Sequence, residues 1–144
     1  MGNCIKTRRG IDIFRGSVIE FTQDSVGTYL LFLEISNPIE VQIKKTGIKL
    51  DKGFYIYVGS AFGSGGLSSR IHRHLRKRKK NHWHIDHVTM NQNCNYHGVA
   101  TFINEKIECS LSKSLNNMEK FVPIQGFGSS DCKNNCISHF FKLV

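Results

Sequence analysis

The stretch Gly53–Asp86, GFYIYVGSAFGSGGLSSRIHRHLRKRKKNHWHID, decides the fold because its character changes three times along its length. Gly53–Gly59 is rich in aromatic and β-branched residues, which predicts a buried strand. Ser60–Gly66 holds three glycines and two serines, which is typical of a loop whose backbone turns tightly or approaches another group closely. Leu67–Lys80 then predicts a helix with an apolar edge that repeats every fourth residue.

The opposite edge of this predicted helix is basic. Arg70, His74 and Lys77 share one face, with Arg73 beside it, because residues three and four apart are neighbours on a helix. We expect Arg70 and His74 to point together towards the glycine-rich loop. Backbone N–H groups, a guanidinium and an imidazole would then suit a phosphate group. A solvated basic face is the alternative interpretation of the same residues.

Apolar segments before this stretch predict a small sheet. Val26–Ile35, VGTYLLFLEI, is a continuous apolar run, which predicts a central strand buried on both faces. Ile39–Ile43 alternates apolar and polar residues, which predicts a half-exposed strand, and Lys44–Lys52 is a polar connection. Because the connections are short, we expect these two strands and Gly53–Gly59 to form one antiparallel sheet.

The C-terminal half alternates between strand and helix patterns. Trp83–Thr89 predicts either the start of a helix or a short strand, and Tyr96–Ile103 predicts a strand. Ile107–Leu115 places its apolar residues on one helical stripe. Ile137–Val144 is an apolar segment that predicts an edge strand. The expected fold class is therefore α+β, with a small mixed or antiparallel sheet flanked by helices.

The chain length of 144 residues predicts one domain with a sizeable core. We expect residues 1–20, which are mixed and basic, to be an appended N-terminal segment, and residues 21–144 to form the domain. No apolar run approaches the length of a membrane span, and the N-terminus has no apolar signal-peptide core. The five cysteines are an odd number, which favours reduced thiols and a cytoplasmic location.

The net charge of +9 is high for this length and is concentrated in one region. Arg76–Lys80 is an unbroken run of cations, and five of the seven histidines lie within His72–His87. Such focusing indicates a polyanionic partner, most simply nucleic acid. An acidic membrane surface is the less favoured alternative, because no exposed aromatic helix face is available to insert.

Two tripeptides and three longer strings resemble a known family. Tyr57–Gly59, YVG, resembles the second half of the GIY-YIG nuclease signature, and Gly27-Thr28-Tyr29 resembles the first half with Thr28 in place of isoleucine. Three longer strings occur in the same order as in a single-domain branch of this superfamily and resemble it: YVGSAFGSGGLSSRIHRHLR, HWHID and GFGSSDCKNNCISH. The resemblance extends from about Gly27 to the C-terminus.

The resemblance implies a divalent-metal-dependent endonuclease that cleaves phosphodiester bonds of DNA. Its catalytic residues would be Tyr29, Tyr57, Arg70, His74 and Glu108, with Glu108 holding Mg²⁺ or Mn²⁺. Arg70 would stabilise the phosphorane, because a planar guanidinium matches phosphate oxygens. Tyrosine is a poor base at its usual pKa near 10, so Arg70 or a metal-bound water would have to lower that pKa.

Two details of the resemblance leave room for alternatives. Glu119 competes with Glu108 as the metal ligand, and Glu108 is preferred because it begins the amphipathic helix. Tyr29 and Tyr57 are 28 residues apart, which is longer than in typical members, so an extra hairpin at Ile39–Lys49 is expected. The alternative function is a nucleic-acid-binding module that uses the same fold and the basic helix without cleaving its ligand.

A set of glycine and basic residues is expected to contact nucleic acid, without any small-molecule cofactor. It consists of Gly59, Arg73, Lys77, Arg78, Lys79, Lys80 and His84. Most of the other histidines are expected to lie on the surface or to support the site residues without contacting the ligand.

Cysteine and histidine residues near the C-terminus suggest a second metal site. Cys109, Cys132, Cys136 and His139 could form a four-coordinate zinc site, although a C-x₃-C spacing is less specific than C-x₂-C. The alternative is a set of packed, reduced thiols with Asp131 as a capping residue.

Overall fold

The computed structural model describes residues 3–6, 11–15, 25–128 and 132–144, the first two ranges by their backbone. The strands and helices lie in this order: β1 (Asn3–Lys6), β2 (Ile11–Arg15), β3 (Gly27–Ile35), β4 (Ile39–Ile43), β5 (Thr46–Leu50), β6 (Gly53–Ala61), α1 (Gly66–Leu75), α2 (His84–Thr89), β7 (Cys94–Ile103), α3 (Glu108–Asn116), β8 (Phe121–Pro123) and β9 (Phe140–Leu143).

The main sheet is built around β3, which pairs with β6 on one side and β7 on the other. The strand order is β1-β2-β7-β3-β6-β9-β8, and every pairing is antiparallel. The predicted α+β class, with an antiparallel sheet flanked by helices, is confirmed. Strands β1 and β2 come from the expected N-terminal segment and extend the same sheet beyond β7.

The hydrophobic core lies on one face of this sheet. Side chains alternate between faces along a strand, and in β3 the face carrying Tyr29, Leu31, Leu33 and Ile35 is almost fully buried. Leu67 and Ile71 of α1 and Ile85 and Val88 of α2 belong to the same buried cluster. On the other face of β3, Thr28 is fully buried, whereas Leu30, Phe32 and Glu34 are half-buried. The predicted burial of both faces is therefore complete on one face and partial on the other.

Strands β4 and β5 form a separate two-stranded hairpin. The extra hairpin predicted at Ile39–Lys49 is therefore present, but β4 does not join the main sheet as expected. The polar connection after β4 turns back at once, with Lys44 at a φ of 57°. Ile39, Val41 and Ile43 alternate with exposed residues, as the sequence pattern predicts, and pack against the core.

Helix α1 ends at Leu75, five residues before the predicted end at Lys80. Arg76 adopts an extended backbone, with a φ of −77° and a ψ of 128°. The amine of Lys79 lies 2.9 Å from the carbonyl oxygen of Arg73 and 3.2 Å from that of His74. It therefore adds a hydrogen-bond donor to two carbonyls of the last helical turn, which favours a helix end at this point.

The last apolar segment is one strand in from the edge. Strand β9 pairs with both β6 and β8, so β8 forms the edge where β9 was predicted. The helix-or-strand alternative at Trp83–Thr89 resolves as helix α2. None of the helices in the described part of the chain is long and apolar enough to span a membrane.

Candidate active site and the adjoining cysteine cluster

The two signature tyrosines lie on adjacent strands and on the same sheet face. In the β3–β6 register, Tyr29 is opposite Gly59 and Leu31 is opposite Tyr57, and directly opposed residues share a face. The tyrosine ring centroids are 6.4 Å apart. A Cβ atom at Gly59 would overlap the ring of Tyr29, so glycine leaves the space that this ring occupies.

His74 lies beside both tyrosines because α1 packs across β3 and β6. Its Nε2 atom shares a hydrogen bond of 2.6 Å with the hydroxyl of Tyr29, and its ring centroid is 5.8 Å from that of Tyr57. Tyr29 is 1% exposed and His74 is 3% exposed. Burial lowers the pKa of His74 to about 3, assisted by the charge of Lys79. His74 is therefore a neutral imidazole at physiological pH.

Burial keeps both tyrosines protonated. It raises the pKa of Tyr29 well above the usual value of 10, and the proximity of Tyr57 adds to the rise. Burial and the charge of Glu108 likewise raise the pKa of Tyr57. Arg70 lowers both pKa values, as the sequence analysis expected, but desolvation outweighs its charge. The tyrosines are thus hydrogen-bonding groups near neutral pH and are not phenolate bases.

Arg70 is held against the ring of Trp83, and its charge acts on both signature tyrosines. Its Cζ atom lies 4.2 Å from the centroid of the Trp83 ring, and the Cζ atom of Arg73 lies 4.5 Å from it. Stacking on an aromatic face restrains a guanidinium while leaving its N–H donors available. Arg70 is half-buried beside the tyrosine pair.

Asp86, which the sequence analysis did not single out, organises this side of the site. Its carboxylate is fully buried, lies 2.7 Å from Arg73 and accepts 2.9 Å hydrogen bonds from the backbone N–H groups of His82 and Trp83. The amine of Lys79 is 3.8 Å away. Asp86 therefore fixes the start of α2 and with it Trp83. The signal for this role was a carboxylate three residues after the helix cap.

Two of the predicted nucleic-acid-binding lysines are engaged within the fold. The Lys77 amine donates hydrogen bonds to the carbonyl oxygens of Thr89, Asn91 and Cys94, at 3.0, 2.8 and 2.5 Å. The Lys79 amine donates to the Thr89 hydroxyl at 2.7 Å, in addition to its bonds with the end of α1. Burial lowers the pKa of Lys79 to about 8, although Asp86 opposes the shift.

The remaining cations of the run face solvent. Arg76, Arg78 and Lys80 are exposed. His84, another predicted contact, accepts a 3.1 Å hydrogen bond at Nδ1 from the backbone N–H of Gly128, so it joins α2 to the loop before β9.

Glu108 reaches the site from the first residue of α3. Its Oε1 atom lies 2.7 Å from Nδ1 of His139. Its charge contributes to the raised pKa of both tyrosines, which places it in their electrostatic surroundings. A Cβ atom at Gly128 would lie 3.4 Å from both Tyr57 and His139, so Gly128 links the tyrosine pair to Glu108. Glu119, the alternative metal ligand, is exposed beyond the end of α3.

A cavity of about 460 Å³ opens beside Glu108. Lys106 and Lys133 line it together with His139 and Gly128. The sequence analysis missed these two lysines because each stands alone in the sequence, outside any basic run. Carboxylate, imidazole and amine groups thus surround a space that is large enough for a phosphate group and several waters.

Four thiol and imidazole groups cluster on the same side of the fold. The ligand atoms of Cys109, Cys132, Cys136 and His139 all lie within 4.8 Å of one another, a group that could hold a metal ion. The three thiols are free, and the Sγ atoms of Cys109 and Cys132 are 3.4 Å apart. Asp131, the capping alternative of the sequence analysis, lies outside the described residues.

The buried, neutral state of His74 predicts an acid-sensitive fold. Unfolding would raise the pKa of His74 from about 3 to about 6.5. The unfolded chain then binds more protons between these values, so the free energy of unfolding should fall as the pH drops from about 6.5 towards 3. The slope from this one group approaches about 1.4 kcal/mol per pH unit.

Urea titrations at several pH values can measure this slope in the parent and in His74→Gln. The variant should lose the contribution of one group, whereas His72→Gln, a change at an exposed histidine of the same helix, should keep it. Equal slopes in the parent and His74→Gln would contradict a buried neutral imidazole.

The comparisons with known proteins identify one family. A family model described as "Domain of unknown function DUF123" matches residues 28–144, which include every residue of the candidate site. The chain therefore belongs to the DUF123 family. No curated protein and no solved structure matches the chain.

Proposed function

We propose that the chain is a divalent-metal-dependent endonuclease of GIY-YIG type that cleaves phosphodiester bonds of DNA. The observation that supports it most is the convergence of Tyr29, Tyr57, Arg70 and His74 on one sheet face, with Glu108 close by. Packing alone does not require a second tyrosine, a buried neutral histidine and a carboxylate around one half-buried arginine. Cleavage can use these groups, since a phosphorane needs a cation and its departing and attacking oxygens need polar partners.

Arg70 supplies the positive charge for the phosphorane. Its guanidinium is restrained by the Trp83 ring, so a planar fork is oriented before the substrate arrives. Preorganisation matters because a donor that already points at the developing charge pays no reorganisation cost during the reaction. Asp86 and Arg73 act through Trp83, which they hold in position.

The tyrosines and His74 act as neutral hydrogen-bonding groups. Nδ1 of His74 is buried and has no hydrogen-bond partner among the described residues. A buried acceptor without a partner costs less than a buried N–H donor without one, which favours the tautomer with its proton on Nε2. His74 then donates a hydrogen bond to the Tyr29 hydroxyl oxygen. The Tyr29 hydroxyl proton is left to be donated to a substrate oxygen.

The residues present fit a divalent cation at Glu108. A single carboxylate beside a 460 Å³ cavity suits Mg²⁺ or Mn²⁺, because these ions retain several waters and use few protein ligands. A bound ion would supply Lewis-acid activation of the phosphate and of the attacking water. Lys106 and Lys133 add positive charge around the same cavity.

Cleavage assays test the proposal directly. The full chain is incubated with linear, nicked, flapped and junction DNA in Mg²⁺ or Mn²⁺, with EDTA as the control. Cleavage of any substrate that depends on the cation supports an endonuclease. If the chain binds these substrates and cleaves none of them with either metal, the second candidate function, a nucleic-acid-binding module, replaces it.

The exposed cations favour nucleic-acid binding under either function, and they predict a steep dependence on salt. Each phosphate neutralised on duplex DNA contributes about 0.9 to the slope of log K against log salt concentration. Replacing Arg76, Arg78 and Lys80 together with serine should therefore reduce the slope by roughly 2–3. Fluorescence anisotropy at several salt concentrations measures it.

The matched control replaces Lys45, Lys49 and Lys52 with serine. It removes the same charge from exposed positions on or next to the β4–β5 hairpin and should leave the slope nearly unchanged. Equal slopes in the parent and the Arg76, Arg78, Lys80 variant would show that the run is only a solvated surface.

A further inference from the structure

We propose that Cys109, Cys132, Cys136 and His139 bind one zinc ion as a structural part of the fold, and that this ion holds Glu108 in place through His139. The proposed zinc site adjoins the candidate active site and shares Glu108 and the cavity with it, but the inference does not depend on cleavage. It rests on the positions of four potential ligands and on the contact between His139 and Glu108.

The separations of the ligand atoms match a tetrahedral zinc site. With Zn–S distances of about 2.3 Å, the sulfurs of such a site lie about 3.8 Å apart. The Sγ atoms of Cys109 and Cys132 are 3.4 Å apart, close to this value and well beyond the roughly 2.05 Å of a disulfide. The whole group of four ligand atoms fits within 4.8 Å. To complete the tetrahedron, the widest of these separations would shorten by at most about 1 Å, and the Cys109–Cys132 separation would lengthen by about 0.4 Å.

His139 has one ring nitrogen for the metal and one for Glu108. Nδ1 lies 2.7 Å from the Glu108 carboxylate, and Nε2 is buried. The ring is also within hydrogen-bonding reach of the Cys132 thiol. A buried ring nitrogen needs a partner, and a metal shared with that thiol would provide one. Metal-bound histidines commonly donate their other N–H group to a carboxylate, which fixes the ring and strengthens the ligand.

The chemistry of the ligands selects zinc. Thiolates are soft ligands that Mg²⁺ and Mn²⁺ do not prefer, whereas a Cys₃His set with four occupied positions is typical of structural zinc. Three thiolates and one Zn²⁺ carry a net negative charge, and Lys106 and Lys133 line the adjacent cavity. Both lysines therefore oppose the excess negative charge of the site.

The ion would compensate for a shortage of apolar contacts between α3 and the segment before β9. Lys133, Asn134, Asn135 and Ile137 are exposed, so this segment buries little surface of its own. A metal that joins Cys109 of α3 to ligands more than twenty residues later closes a long loop and stabilises the folded state. It would also fix the first turn of α3, where Glu108 lies.

Metal analysis of the full chain tests the proposal. The chain is purified with reductant and without chelator, then loaded with zinc, and bound metal is measured by mass spectrometry with inductively coupled plasma. One zinc per chain is expected in the parent and in Cys94→Ser, a change at a buried cysteine outside the cluster. Cys132→Ser should lose stoichiometric zinc and have a lower Tm.

Cobalt provides a test that needs no variant. Co²⁺ bound by thiolates in a tetrahedral site gives charge-transfer and ligand-field bands, which zinc should abolish by displacement. A folded parent chain that binds neither ion overturns the proposal. So does a Cys109–Cys132 disulfide, detected by mass spectrometry, in protein purified with reductant.

Glu108→Gln tests the link to the candidate active site. The variant should still bind one zinc, but release it to a chelator roughly 10-fold faster, because the loss of an outer carboxylate typically weakens metal binding 10–100-fold. An unchanged release rate would overturn the link between Glu108 and the ion. None of these metal-binding measurements involves DNA, so failure of the zinc proposal is distinguishable from failure of the nuclease proposal.

Discussion

Arg70→Ala should lower the single-turnover rate of DNA cleavage by about 10²–10³ while most of the DNA affinity remains. The loss falls on the rate because Arg70 would contact charge that develops only in the transition state. Affinity persists because the exposed cations after α1 are unchanged. Single-turnover measurements with saturating enzyme separate the two quantities.

Two variants serve as controls for this prediction. Arg78→Ala removes an exposed arginine away from the tyrosine pair and should reduce affinity slightly without changing the rate at saturation. Arg70→Lys keeps the charge but loses the planar fork, so its rate should fall between those of the parent and Arg70→Ala. Glu108→Gln should also lose most cleavage. If Arg70→Ala and Glu108→Gln both cleave as fast as the parent, the site assignment is wrong.

Asp86→Ala should reduce the free energy of unfolding by about 3–5 kcal/mol. The carboxylate is fully buried between Arg73 and Lys79 and accepts two backbone hydrogen bonds. Its removal would leave buried cationic groups and N–H donors without partners, which costs more than the pair itself contributes. Since small domains are stable by only about 5–15 kcal/mol, urea unfolding should show the change clearly.

Glu34→Gln is the matched control, since it breaks a solvent-exposed carboxylate pair whose contact has the same length, 2.7 Å. Glu34 and His97 are 31% and 47% exposed, so solvent screens their interaction. The expected change is at most about 1 kcal/mol. A change in Asp86→Ala as small as that of the control would show that Asp86 does not organise this side of the fold.

The sequence predicted those parts of the structure that depend on local pattern. Periodicity located β3, β6, β7 and α3, because burial of a strand or helix face imposes its own spacing on apolar residues. The two tyrosines could be placed on neighbouring strands because each lies in a short apolar run of its own. The register of β3 and β6 shows that they also share a face of the sheet.

Side-chain contacts that apolar periodicity does not describe decided what the sequence did not predict. Helix α1 ends early because Lys79 folds back onto its last carbonyls, and no local pattern encodes that return. Likewise, the tyrosines stay protonated because α1 buries them, and burial raises their pKa values. The sequence shows the nearby Arg70, which lowers the pKa of Tyr29, but it does not show how deeply the tyrosine is buried. The ligand types of the cysteine cluster were visible, but the approach of Glu108 to His139 joins residues 31 positions apart.

The extended segment after α1 divides one basic run into two sets of side chains with different surroundings. Arg76, Arg78 and Lys80 face solvent, whereas the amines of Lys77 and Lys79 each satisfy several acceptors inside the fold. A compact ammonium fits among three carbonyl oxygens, and a planar guanidinium does not share that geometry. Across relatives, lysine should therefore persist at positions 77 and 79, while the three positions between and around them exchange lysine and arginine freely.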